Sequence, residues 1–101
     1  MATTSKALFR GAATTTTSTT LYTVPADTTA VVTNIAVTNT SATEYTFTLT
    51  LDNVHIHTAT TLSGNTTVYI DCKQVLTAAA TIKGGASNTA IMFHISGVEI
   101  A

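Results

Sequence analysis

The pair His55-x-His57 offers the most chemistry in this chain. Residues two apart on a strand share a face, which would set the two imidazoles about 6.5–7 Å apart. That spacing suits a metal ion if a third ligand arrives from a neighbour. The plainer reading is two solvent- or interface-facing histidines beside Thr48 and Thr50. His94 follows the inward-facing Phe93 and is expected to point outward. The acids are Asp27, Glu44, Asp52, Asp71 and Glu99, and none forms a close sequence pair with another. A glycosidase-like carboxylate pair would have to assemble from distant segments. No local Ser-His-Asp or Cys-His signature is present. Cys72 has no second cysteine to pair with, and is expected inward as a small apolar residue. Gly84-Gly85 lacks the Lys-Ser/Thr of a phosphate loop and precedes no helical pattern. The expectation is therefore no enzyme, no cofactor and no intrinsic metal.

Composition excludes further classes. The formal net charge is −1, with 9% charged residues, so nothing draws the chain to nucleic acid or to a membrane surface. There is also no basic face interleaved with aromatics for single-stranded nucleic acid. No apolar run approaches the ~18 residues of a membrane span. No secretory signal pattern follows Met1, so synthesis in a cytoplasm without export is expected. Thr46-x-Thr48-x-Thr50 resembles a strip from a flat, ice-binding threonine array, but such arrays repeat the motif at a fixed period and this one occurs once.

The elements that carry these residues are strands. Thr makes up about a quarter of the chain, and its stiff, β-branched side chain favours a pleated sheet. Tyr45, Phe47, Leu49 and Leu51 alternate with Thr46, Thr48 and Thr50, which predicts one oily and one hydroxyl face. Asp52-Asn53 tolerates the positive φ of a two-residue hairpin turn. That turn would set Leu51 opposite Val54, Leu49 opposite Ile56, Phe47 opposite Thr58, Thr50 opposite His55 and Thr48 opposite His57. Phe47, Leu49, Leu51, Val54 and Ile56 should then share one buried face.

Further strands are expected at Leu21–Val24, ended by Pro25, and at Ala30–Asn39, with Val31, Ile35 and Val37 on one face and Val32, Asn34, Ala36 and Thr38 on the other. Thr66–Cys72 should turn Val68, Ile70 and Cys72 inward and Thr67, Tyr69 and Asp71 outward. Val75 and Leu76 should pack beneath a bend. A short strand Ala80–Lys83 closes at Gly84-Gly85. The last strand starts at Asn88, with Ile91, Phe93 and Ile95 inward and a bulge at Gly97. About eight short strands with turn residues between them imply an all-β antiparallel sandwich of jelly-roll or immunoglobulin-like type. This domain should span residues 20–101.

Residues 1–19 read as an extended N-terminal arm. It is low in complexity from Thr14 to Thr20, with Leu8 and Phe9 as contact points and Lys6 and Arg10 as its positive charges. Such a segment is either disordered or ordered by lying on a neighbour. A surface this poor in charge also suits a chain buried against other subunits. Lys6, Leu8, Phe9, Arg10, His55 and His57 are the candidate interface residues.

The run from Leu21 to Ser41, with its Tyr-Thr-Val-Pro-Ala turn, and the closing Ile95-Ser-Gly-Val-Glu-Ile-Ala resemble small β-sandwich virion proteins of tailed bacteriophages. With the central hairpin, the resemblance covers roughly residues 6–101. It departs at Asp27, where such turns often carry Gly. The resemblance implies a virion structural part: a capsid decoration (cement) protein, or a neck, tail or fibre component. It further implies a homo-oligomer, with a trimer favoured, bound to the major capsid protein or other virion proteins. A third class, a carbohydrate-binding module, would usually show an exposed Trp or Tyr, and this chain has three Tyr and no Trp.

Overall fold

The computed structural model describes residues 3–71 and 73–101. Cys72, expected inward, lies outside them. Among the described residues, nine strands form two antiparallel sheets. They are β1 (Thr3–Ala12), β2 (Thr20–Thr23), β3 (Thr29–Asn39), β4 (Tyr45–Leu51), β5 (Val54–Leu62), β6 (Thr67–Ile70), β7 (Gln74–Leu76), β8 (Thr81–Ala86) and β9 (Ile91–Ile100). One sheet runs β1-β9-β3-β6, with β7 also on β3; the other runs β2-β8-β4-β5. The chain is thus a long hairpin with its tip at β4–β5. It is rolled so that β1 meets β9, β2 meets β8, β3 meets β6 and β7, and β4 meets β5. This is the jelly-roll form of the β-sandwich.

The core lies between the sheets. Phe47, Leu49, Ile82, Ile35, Val37, Ile91, Phe93 and Ile95 are fully buried in it. Phe47 and Phe93 meet edge-to-face across it, with ring centroids 6.4 Å apart, a favoured aromatic geometry. Asn39 is buried but satisfied. Its amide donates to the carbonyls of Thr43 and Leu62, at 2.8 and 3.1 Å, and its Oδ1 accepts the Ser41 N–H at 2.9 Å. These bonds tie the end of β3 to β5.

The first departure from expectation is β1. Thr3–Ala12 is no free arm but the edge strand of the first sheet, paired with β9 along its length. Leu8 is 7% exposed, and Phe9 packs against the core beside it. Residues 14–19 continue the attachment: the Gly84 and Ala86 N–H groups donate to the Thr19 and Thr14 carbonyls at 2.9 Å each. The segment has few apolar residues, but Leu8, Phe9 and Ala13 all turn inward, and β9 offers an open edge for its backbone.

The second departure is the hairpin register. Asp52 and Asn53 adopt φ of 52° and 60°, as a type I′ turn requires, and Leu51 faces Val54 as expected. Beyond Thr50↔His55 the register slips twice, so Leu49 faces His57 and Phe47 faces Thr60. Ala59 takes a left-handed φ of 44° and donates its N–H to Thr48 Oγ1 at 3.0 Å. Ile56, the extra residue at the first slip, is 36% exposed, and Val54, beside the turn, is 65% exposed, so neither joins the buried face expected of them. Thr48 and Thr50 are buried instead, alongside Phe47, Leu49 and Leu51.

The third departure surrounds Gly97. β9 keeps its alternation there, and the bulges lie in both neighbours. Leu8 is the extra residue in β1, and Thr33 is the extra residue in β3. A Cβ on Gly97 would collide with the Val31 carbonyl oxygen and approach Leu8 Cδ1 to 2.8 Å. The slip at Thr33 sends Val32 into the core and Val31 outward, against expectation. Two smaller corrections follow. Leu76 is buried as expected, but Val75, in β7, is 63% exposed on the outer face. Gly84-Gly85 lies within β8 instead of closing it, because β4 and residues 14–16 approach too closely for side chains there.

Candidate functional site

The expected site residues do not form one surface. Lys6 pairs with Glu99 at 3.4 Å, and Tyr22 Oη donates to the same carboxylate. This clasp joins β1 and β9 of one sheet to β2 of the other. The Tyr22 hydrogen bond, and secondarily Lys6, hold the Glu99 carboxyl below its usual range despite partial desolvation. Burial first, then the Glu99 carboxylate, raise the Tyr22 phenol far above its usual range. Leu8 and Phe9 face the core, whereas Arg10 is exposed, opposite His94.

His55 and His57 are separated by the first bulge. His55 is exposed opposite Thr50, in a hollow of about 280 Å³ lined by Thr17, Ser18, Thr50, Asn53 and Lys83. His57 is half-buried against the Phe47 ring, with centroids 5.1 Å apart, and its Nδ1 lies 3.0 Å from Thr60 Oγ1. The two rings therefore do not stand side by side on one face. Among the described residues, no three of His, Cys, Asp and Glu gather closely enough to hold a metal.

A second hollow is a trough of about 360 Å³ on the outer face of the first sheet, lined by Asn34, Ala36, Thr38, Thr67, Tyr69, His94 and Ser96. Its form follows from the pairing. His94, Ala36 and Tyr69 occupy one row across β9, β3 and β6. The small Ala36 makes the floor and the two rings make the walls. Strands two apart lie roughly 9.5 Å from each other, which sets the width. Asn34 and Ser96 close one end of the trough, and Thr38 and Thr67 close the other. Thr38 and Thr67 hydroxyls bond each other at 2.9 Å. The side chains of Asn34, Ser96, His94 and Tyr69 make no hydrogen bond among the described residues. Alternation placed Asn34, Ala36, Thr38, Thr67, Tyr69 and His94 outward. What was missed is their convergence, which needs the pairing of strands distant in sequence.

No protein family's sequence profile matches the chain, and neither a curated protein nor a solved structure does.

Proposed function

We propose that the protein is a non-enzymatic structural component of a tailed-bacteriophage virion: a capsid decoration (cement) protein that stabilises the shell as a homo-oligomer, with a trimer favoured. The observation that supports this reading best is the jelly-roll closure combined with a charge-poor exterior. Jelly rolls recur in viral capsid domains, although a fold hosts many functions. The resemblance of Leu21–Ser41 and Ile95–Ala101 to phage virion proteins points the same way. The exterior also carries the exposed Val54, Ile56 and Val75, an apolar inventory that suits permanent contact with other subunits.

The first test is location and binding. Purified virions should carry the protein at repeated positions on the shell when imaged by electron microscopy. Purified protein added to shells lacking it should raise their melting temperature, and Val54→Asp with Ile56→Asp should abolish that gain while leaving the free protein folded. Density in the neck, tail or fibre instead would favour the alternative virion role. Absence from virions would overturn the reading. Sedimentation should give a particle of three 10.4 kDa protomers.

A further inference from the structure

We propose that the trough on the outer face of the first sheet is a saccharide-binding site. Its volume of about 360 Å³ falls at the small end of the roughly 300–1,000 Å³ typical of ligand clefts. The inference goes beyond the virion role and does not depend on where in a particle the protein sits.

The walls carry the first part of the case. Tyr69 is 70% exposed, the largest exposure among the big apolar side chains of the described residues, and it stands across Ala36 from His94. A sugar ring has an apolar face of C–H groups and a rim of hydroxyls. An amphipathic phenol ring can meet the apolar face while its hydroxyl stays wet. The roughly 9.5 Å between β9 and β6 leaves one ring's width above Ala36.

The polar complement carries the second part. Sugar hydroxyls both donate and accept, so they need partners of both kinds. Asn34 offers two donors and an acceptor, Ser96 offers both functions, and neutral His94 offers one of each. None of these side chains is engaged by the described residues. A cleft with a few convergent, unengaged polar groups around an aromatic surface is the general form of a small-ligand site.

The charge pattern separates this reading from others. No carboxylate or lysine lines the trough, which leaves a metal or a strongly charged ligand poorly served. The centre of a protein-docking patch is typically apolar, whereas most of this lining is hydroxyl, amide or imidazole. Arg10 is paired with His94 across β1 and β9 but is not part of the lining.

The test is native affinity electrophoresis of the full chain in gels containing dextran, mannan, arabinoxylan, glycol chitin or alginate. Retardation is expected in at least one neutral-polysaccharide gel. Tyr69→Ala should weaken it roughly tenfold or more, Asn34→Ala should weaken it, and Tyr69→Phe should largely keep it. All three variants should melt with the wild type, since the Tyr69 side chain is mostly in solvent and Asn34 makes no side-chain hydrogen bond. Migration unaffected by every polysaccharide would overturn the proposal. So would retardation that Tyr69→Ala leaves intact, or retardation confined to alginate and abolished by salt, which would mark a charge contact at Arg10. Loss of particle attachment in Tyr69→Ala, with no polysaccharide bound by the wild type, would make the trough a protein-docking surface and would also overturn it.

Discussion

Leu8→Ala distinguishes a strand that belongs to the sandwich from an arm that merely lies on it. Leu8 is the extra residue of the β1 bulge, 7% exposed, with its Cδ1 packed over the bare backbone of Gly97. The substitution removes three buried carbons, each worth about 0.8 kcal/mol. The cavity left behind adds to that sum, and relaxation of an edge strand subtracts from it, so the expected cost is about 2–4 kcal/mol. That is a large share of the roughly 5–15 kcal/mol that holds a small domain together. It should lower the melting temperature by roughly 10–25 °C. Urea unfolding followed by far-UV circular dichroism measures the cost directly, with exposed Ala7→Ser as a control expected to stay within about 0.5 kcal/mol. A Leu8→Ala midpoint indistinguishable from wild type would refute the assignment of β1 to the folded unit. Deletion of residues 2–19 checks the same point more severely: it strips β9 of one of its two partners and should leave a protein that fails to fold.

Two further outcomes are expected. Because the folded state holds the Glu99 carboxyl below its unfolded value, the clasp contributes stability above the usual carboxylate range near pH 4.3, and this is lost as pH falls through the lower, folded-state value. Glu99→Gln should flatten that acid limb of the stability–pH curve, and an unchanged limb would show that the clasp carries no weight. Gly97→Ala should destabilise by about 1–3 kcal/mol in the same urea assay, because the new methyl meets the Val31 carbonyl, which is backbone and cannot swing aside.

Much of the sandwich was legible because alternation and turn chemistry agree. Phe47, Leu49 and Leu51 announced a buried face, and Asp52-Asn53 announced the turn that joins β4 to β5. The hairpin register was not legible past His55, since neither Ile56, the extra residue of the first slip, nor Ala59, left-handed at the second, is a residue type that signals an irregularity. The strand nature of β1 was hidden for a related reason. Its bulge turns both Leu8 and Phe9 inward, so the segment lacks the simple period of two. The trough was legible one strand at a time and invisible as a unit. Nothing local in Ala36 says that its row neighbours are His94 and Tyr69.

The position of β9 bears on how the chain comes into being. β9 lies between β1 and β3, yet it is the last of the nine strands to leave the ribosome. Until it emerges, β1 has no backbone partner and β3 lacks one of its two edges. The first sheet therefore cannot close during synthesis, which at about 5–20 residues per second leaves the N-terminal strand waiting for seconds. Pairing β1 with β9 closes a loop that contains the seven strands between them, a step that is slow in proteins dominated by distant contacts. Throughout that interval Leu8 and Phe9 lack the strand against which β1 is paired. Neighbouring nascent chains present the same open edges, so strand exchange between them competes with closure within one chain.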